Sequence, residues 1–498
     1  MLFSSLLFIY LFLPFTLLFF YVVKEKLQNL VLLIASLVFY AWGGPSLASV
    51  LIGSILINYF SGRMIGRNKS KRVRKNWLIV GLFMNLGLLV TFKYTHFFVD
   101  NINALTNLFG VHPILLRKII LPLGISFFTF KAISYLISVY RGETEVQKNF
   151  IDLSLYISLF PQLIAGPISR YNDLAPQLIP GGRMLTFEKF ASGINRFVLG
   201  LAKKILIANT FAAVADQVFG RPYGQMNSPL AWLGITCFAL QIYYDFSGYS
   251  DMAIGLGRML GFTFVENFNF PYISRSLREF WKRWHISLST WFRDYLFLPI
   301  AYSTSRKLPK ERYLGIRSDK LIYLVGTAIT FFLCGFWHGP TWNFIIWGML
   351  HGVFLITEQA GFGKFLKKLH PSLQHLYLVL FLLISWVFFR TDTFRDSITY
   401  IGIMFGTSAN PVNWPQFRSF FNLELIVTGI IGILGCTTIF TKIANLKNSN
   451  RVFGENNFSR ITFYTGNIGN LLFLVILMFL VTVQMTAGTI NPFIYFRF

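Results

Sequence analysis

Charge is scarce in this 498-residue chain: 13% of residues are charged against 54% hydrophobic. So little polar material cannot coat a water-soluble globule of that size. Disorder, which needs low hydrophobicity and high charge, is excluded by the same figures, and so is a collagen-like repeat. Cysteine is nearly absent. Cys237, Cys334 and Cys436 all lie in apolar runs, and none has a partner at metal-ligand or redox-motif spacing, so they read as buried packing thiols. There is no Walker lysine motif, no dinucleotide-binding glycine triplet, no His-Glu-x-x-His and no Gly-x-Ser-x-Gly. Nucleotide hydrolysis, zinc proteolysis and the common serine-esterase arrangement therefore have no support. Acidic residues are few as well: 20, against 45 Lys and Arg. In a soluble protein that excess would suggest nucleic acid. Here the densest basic run, Arg63, Arg67, Lys69, Lys71, Arg72, Arg74 and Lys75, sits between two apolar segments without interleaved aromatics, as a cytoplasmic loop does under the positive-inside rule.

What the chain has is long uncharged runs. Residues 2–23 carry no charge over 22 positions and residues 27–62 none over 36, each enough for the roughly 20 residues of a bilayer-spanning helix. These features predict an all-α, polytopic integral membrane protein with about ten to twelve transmembrane or re-entrant helices. The first apolar run lacks a basic leader and a small-residue cleavage site, so it reads as a retained helix. Spans are expected at 6–23, 30–42, 47–60, 77–98 and 119–140, followed by a short run at 153–165, broken by Pro161, that suits a re-entrant segment. With the basic loop inside, Lys24 and Lys26 are inside too and the N-terminus is outside. Later spans are expected at 376–389, 425–440 and 468–485, with a polar loop at 448–460. Between 195 and 264 the apolar segments contain Lys203, Lys204, Asp245, Asp251 and Arg258, which are costly at bilayer depth unless paired, facing a wet cavity or near an interface. In residues 272–296, cations alternate with aromatics, and Phe280, Trp284, Leu288 and Trp291 fall at i, i+4, i+8 and i+11. That spacing predicts an amphipathic helix in the headgroup plane.

Residues 321–357 hold no Lys, Arg, Asp or Glu across 37 positions, room for two spans hinged at Gly339-Pro340. His338 lies in the middle of them. An ionisable side chain at that depth is a functional candidate, and desolvation keeps such a ring neutral, as a general base requires. A histidine hydrogen-bonded between helices for packing alone explains the residue equally well. His351 follows 13 residues later, roughly 20 Å of rise and about 220° of rotation along one unbroken helix, too far to share a substrate atom with His338. His285 is surrounded by Arg278, Lys282, Arg283 and Arg293, cations that could hold a phosphate-bearing donor such as a coenzyme A ester or simply rest on anionic lipid. His96, His112, His370 and His375 fall at segment ends or in loops. A lone intramembrane histidine without the common hydrolytic motifs leaves two classes: acyl transfer, or transport through a path lined by Lys203, Asp245, Asp251 and Arg258.

Five blocks of sequence go further. They are residues 121–130 (Leu-Pro-Leu-Gly-Ile-Ser-Phe-Phe-Thr-Phe) running to Tyr140-Arg141-Gly142; residues 160–168 (Phe-Pro-Gln-Leu-Ile-Ala-Gly-Pro-Ile) with Arg170 and Tyr171; residues 244–251 (Tyr-Asp-Phe-Ser-Gly-Tyr-Ser-Asp); residues 280–289 (Phe-Trp-Lys-Arg-Trp-His-Ile-Ser-Leu-Ser); and Phe336-Trp337-His338-Gly339 followed by Trp347-Gly348 and His351-Gly352. In these blocks, and in their order from the start of the chain to the terminal 491–496, the sequence resembles the membrane-bound O-acyltransferase superfamily. It is most similar to the bacterial branch concerned with alginate O-acetylation, with the D-alanyl transfer membrane proteins as relatives. The resemblance implies one membrane domain over residues 1–498, most diagnostic at about 120–357, built around a bilayer-crossing tunnel with a histidine in its wall.

His338 occupies the family's catalytic-histidine motif and His285 matches the second histidine that this branch uses. Arg278, Lys282 and Arg283 become candidates for the donor's phosphates. The implied activity is an O-acyltransferase, most naturally an O-acetyltransferase of the bacterial cell membrane. Its donor would be acetyl-CoA or another cytosolic acyl thioester, with no tightly bound cofactor and no metal. The acceptor would be an extracytoplasmic polysaccharide, reached through a separate secreted or membrane-anchored serine hydrolase-like acetyltransferase. D-alanyl transfer to a cell-wall polymer, and an acyl-group transporter feeding such a partner, are the alternatives.

Overall fold

The computed structural model describes residues 1–313, 315–408, 410–443, 457–488 and 493. Most of the terminal block at 491–496 and of the expected polar loop at 448–460 lies outside the described residues. Among the described residues the regular structure is helical, apart from one hairpin in which Arg312–Tyr313 (β1) pairs antiparallel with Ile316–Arg317 (β2).

Two compact units divide the chain. Among the described residues, the first takes 1–194 and 252–266, the second 195–251 and those from 267 onward. In the first are α1 (Phe8–Val22), α2 (Glu25–Ala41), α3 (Pro45–Arg67), α4 (Lys71–Asn107), α5 (Ile125–Arg141), α6 (Phe150–Ser158) and α7 (Tyr171–Leu178). The borders between units fall inside α8 (Phe187–Phe219) and α9 (Ser228–Met259). The second unit continues with α10 (Leu277–Arg283), α11 (Ile286–Phe292), α12 (Leu298–Lys307), α13 (Ser318–His338), α14 (Trp342–Leu366), α15 (Pro371–Arg390), α16 (Phe394–Met404), α17 (Leu423–Gly435) and α18 (Asn457–Ala487).

Seven of these helices, α3, α4, α8, α13, α14, α15 and the 468–487 stretch of α18, are long and apolar enough to cross a bilayer, with shorter apolar helices in α1 and α17. Their outward faces say what surrounds them. In α18 only 11% of the span is buried, and Leu471, Leu472 and Phe479 are each more than half exposed. A continuous apolar surface of that kind is stable against lipid and not against water. Helix α6, only nine residues long and so about 14 Å, is too short to cross, as its early break predicted.

In the first unit, α3, α4 and α5 pack through small residues and buried amides. Asn58 Nδ2 donates to Asn85 Oδ1 and Asn85 Nδ2 donates back to Asn58 Oδ1, both at 2.9 Å. Without a hydrophobic force between helices in lipid, such close approach and reciprocal bonding hold the contact. Of the basic residues expected as a loop, Lys69 lies in the short link 68–70, and the others are wound into the end of α3 and the start of α4. There Arg74 donates to the Val139 and Tyr140 carbonyls at the C-terminus of α5, the helix end that favours a cation. Gly124 precedes α5 at φ 74°, and a Cβ there would overlap the Leu163 carbonyl, so both backbone angle and space demand glycine.

In the second unit the intramembrane charges are paired. Lys204 and Asp245 meet at 2.6 Å, and Asp251 takes both Lys203 and Arg196 at 2.6 Å. Gly248, one turn from each aspartate, faces the Gly200 carbonyl with no room for a Cβ at ordinary contact distance. That close approach of α8 and α9 is what brings the opposite charges together. In the first unit Arg258 pairs more loosely with Glu266, at 3.9 Å.

The segment 272–296 departs from the expected single amphipathic helix. The helix stops after Arg283, Trp284 is extended, and His285 sits at φ 44°, ψ 54°, a left-handed conformation that no continuing helix allows. The break redirects the aromatics. Phe280, Trp284, Leu288 and Trp291 are all buried in protein and face no lipid, with Trp284 against Phe280, Phe268 and Trp386 at 5.1–5.4 Å between ring centroids.

Candidate active site

The 37-residue uncharged run folds as expected into α13 and α14, with the chain reversing at extended Gly339 and Pro340. The turn places His338, 5% exposed, at the last position of α13. Three aromatic rings meet its imidazole edge to face: Trp337 at 4.9 Å, Trp347 at 5.0 Å and Phe389 at 5.2 Å. The reversal also removes the geometry that separated His338 from His351. Trp347 of α14 contacts both rings, His351 at 4.6 Å on its other neighbour.

Proximity does not make the two histidines equivalent. The indole N–H of Trp281, which can only donate, reaches His351 Nδ1 at 3.3 Å, so Nδ1 is the acceptor and Nε2 carries the hydrogen toward Ser385 Oγ, also at 3.3 Å. Ser385 Oγ passes its own hydrogen to the Leu382 carbonyl. Both nitrogens of His351 are thus spent on holding α10, α14 and α15 together, the packing role that a buried histidine most often has.

His285 is fully buried, and its ring stands 6.4 Å from Trp337, the neighbour of His338. The two histidines singled out by the sequence therefore share one aromatic wall. His285 Nδ1 lies 3.1 Å from Asn267 Oδ1, and the ring meets Phe246 edge to face at 4.5 Å. A non-glycine residue in the left-handed region costs roughly 1–3 kcal/mol, and such strain clusters at functional sites.

The three candidate cations separate. Arg278 and Lys282 are exposed and line a cavity of about 230 Å³. Arg283 does not line it; its guanidinium is held by Glu279 at 3.0 Å and by the Asn269 carbonyl at 3.1 Å. The cavity is apolar within, walled by Trp281, Phe292, Phe297, Phe331 and Leu355. It follows α13 from Tyr323 through Thr327 and Thr330 to Cys334. Arg278 lies over the Tyr323 ring at 6.0 Å, which puts a cation at the end of the cavity remote from His338. The deep end stops at Cys334, one helical turn before His338.

Sequence reasoning missed two residues that hold this arrangement. Glu358, buried in α14, accepts the backbone N–H groups of Leu277 (2.8 Å) and Arg278 (3.1 Å), pinning the start of α10 beside the cavity. Its signal was available as the first acid after the uncharged run. Asn267 had none, because nothing local distinguishes it from Asn269.

The chain matches the model of the membrane-bound O-acyltransferase family over residues 143–389. It is 44% identical over 400 residues to the protein named "Probable alginate O-acetylase AlgI" of Pseudomonas aeruginosa, covering 79% of this chain and 73% of that one. With the protein of the same name from Pseudomonas putida it shares 37% identity across the whole of both chains. A peptidoglycan O-acetyltransferase of Helicobacter pylori is 34% identical over 442 residues, 82% of this chain and 80% of that protein. The chain belongs to the membrane-bound O-acyltransferase family and is a multi-pass acyltransferase of the cell membrane.

Proposed function

We propose that this acyltransferase moves an acetyl group from a cytosolic acetyl-CoA-type thioester toward the hydroxyls of an extracytoplasmic polysaccharide, of which alginate is the best-supported example. The relatives named for alginate O-acetylation match over most or all of the chain. The observation that carries the reading is the cavity beside α13. Eleven residues separate Tyr323 from Cys334, about 16 Å of helix, with the Arg278 guanidinium at the far end and His338 one turn past the near end. A thioester donor has the matching polarity, phosphates at one end and a reactive carbonyl at the end of a slender arm.

His338 acts as the general base. As the hydroxyl oxygen attacks the thioester carbonyl, the imidazole takes the hydroxyl proton. The carbon–sulfur bond breaks, and the departing thiolate receives the proton back. His285, on the same aromatic wall, orients the reacting groups. The immediate acceptor is a serine hydroxyl of a secreted or membrane-anchored acetyltransferase partner or the polymer itself. Residues 1–498 function as one membrane domain.

The test is donor turnover by purified protein with radiolabelled acetyl-CoA. Wild type releases free thiol and transfers label. Arg278→Gln with Lys282→Gln raises the donor KM about 10-fold, the loss of roughly 1.4 kcal/mol of phosphate binding, and leaves kcat within twofold. An unchanged KM would remove the cavity from the donor path. Label crossing vesicles with the thioester intact would replace the enzyme reading with a transporter.

A further inference from the structure

We propose that Asn267 is the positioning residue of His285, setting which ring nitrogen carries the proton; this rests on the part given to His285 above. The Ser287 backbone N–H lies 3.3 Å from the Asn267 side chain, and a backbone N–H can only donate. The atom it faces is therefore the amide oxygen. The Ser287 hydroxyl donates to the same oxygen at 2.9 Å, while Asn267 Nδ2 points the other way, to Ser250 Oγ at 3.0 Å. The donor-only backbone N–H fixes the amide orientation, and the Ser250 hydroxyl, which can accept, is satisfied by the Nδ2 that this orientation turns toward it. His285 Nδ1, 3.1 Å from that oxygen, faces a pure acceptor and must hold the hydrogen. The lone pair is left on Nε2.

The backbone supports the same conclusion. The Ile286 N–H donates to the Asn267 carbonyl at 2.9 Å, so main chain and side chain of Asn267 together grip residues 285–287. Asn267 and Ser250 are themselves buried. A neutral imidazole with no fixed tautomer presents Nε2 as a donor in some molecules and as an acceptor in others; Asn267 removes that ambiguity. Ser250 adjoins Asp251, so the grip is anchored on the α9 turn that carries the paired charges.

Purified Asn267→Leu, Asn267→Asp, His285→Ala and wild type are compared for kcat and donor KM, with folded protein scored by size-exclusion elution in detergent. Leucine offers no acceptor, and kcat is expected to fall about 10- to 100-fold with donor KM unchanged. Aspartate preserves the oxygen for His285 and Ser287 and is expected to restore kcat to within about threefold of wild type. A packing role alone would lower folded protein and leave the turnover of each folded molecule intact. Wild-type kcat in Asn267→Leu beside an inactive His285→Ala overturns the positioning role. Equal losses of kcat in the leucine and aspartate variants also overturn it. Full activity in His285→Ala overturns the underlying reading of His285 instead.

Discussion

Replacing His338 by alanine is expected to leave a protein that inserts and elutes like wild type but transfers acyl groups about 10²- to 10⁴-fold more slowly, the range lost when a general base is removed. The ring is enclosed by Trp337, Trp347 and Phe389, so the substitution opens a small void at the end of α13 without exposing a charge. His338→Gln fills more of that void and supplies no base; it should be as inactive as alanine, which separates chemistry from packing. The measurements are thioester turnover in purified protein and ester content of the cell-surface polymer. Near-wild-type ester in either variant would refute the catalytic role. His351 supplies the contrast. Because both of its nitrogens are engaged by Trp281 and Ser385, His351→Ala is expected to lower the melting temperature and the yield while leaving turnover per folded molecule within about threefold, since unpairing a buried group costs roughly 1–3 kcal/mol.

The position of His338 was legible because it depends on composition: a histidine amid 37 residues without acid or base, followed by Gly339-Pro340, announces both depth and a chain reversal. Spans such as 47–60, 77–98, 376–389 and 468–485 were legible for the same reason, since length and hydropathy are properties of a segment alone. Those expected at 30–42 and 119–140 are instead the 17-residue helices α2 and α5, which do not stand among the helices long and apolar enough to cross. What the sequence concealed arose from contacts between segments. Phe280, Trp284, Leu288 and Trp291 have faultless helical spacing, yet the left-handed turn at His285 breaks that helix and buries all four. Periodicity cannot register a tertiary grip by Asn267 from 18 residues upstream. The cations divided likewise. Arg278, Lys282 and Arg283 are neighbours in sequence, but only the structure shows that Glu279 occupies Arg283 while the other two face the cavity.

Gly348→Val is expected to abolish the active arrangement through the helix pair that presents it. A Cβ at Gly348 would overlap the Phe331 carbonyl and come within 2.8 Å of the Gly335 backbone; one at Gly335 would overlap the Phe344 carbonyl. These two glycines let α13 and α14 touch main chain to main chain, and in lipid that intimacy is itself the source of the attraction. Valine at 348 must push the helices apart, at a cost of about 3 kcal/mol. The push falls between α13, which ends in His338, and α14, which carries the Trp347 ring against it. Detergent-solubilised Gly348→Val should therefore melt well below wild type and show little turnover even in its folded fraction. Gly352→Ala is the graded control: a Cβ there comes to 3.0 Å from the Phe331 Cβ, with Phe331 Cγ at 3.7 Å and the Thr327 carbonyl at 3.9 Å in ordinary contact, so it is crowded without overlapping any backbone atom. A Gly348→Val protein with wild-type melting and turnover would mean that the separation of these helices does not set the position of the imidazole, and the link from backbone contact to proton transfer would be lost.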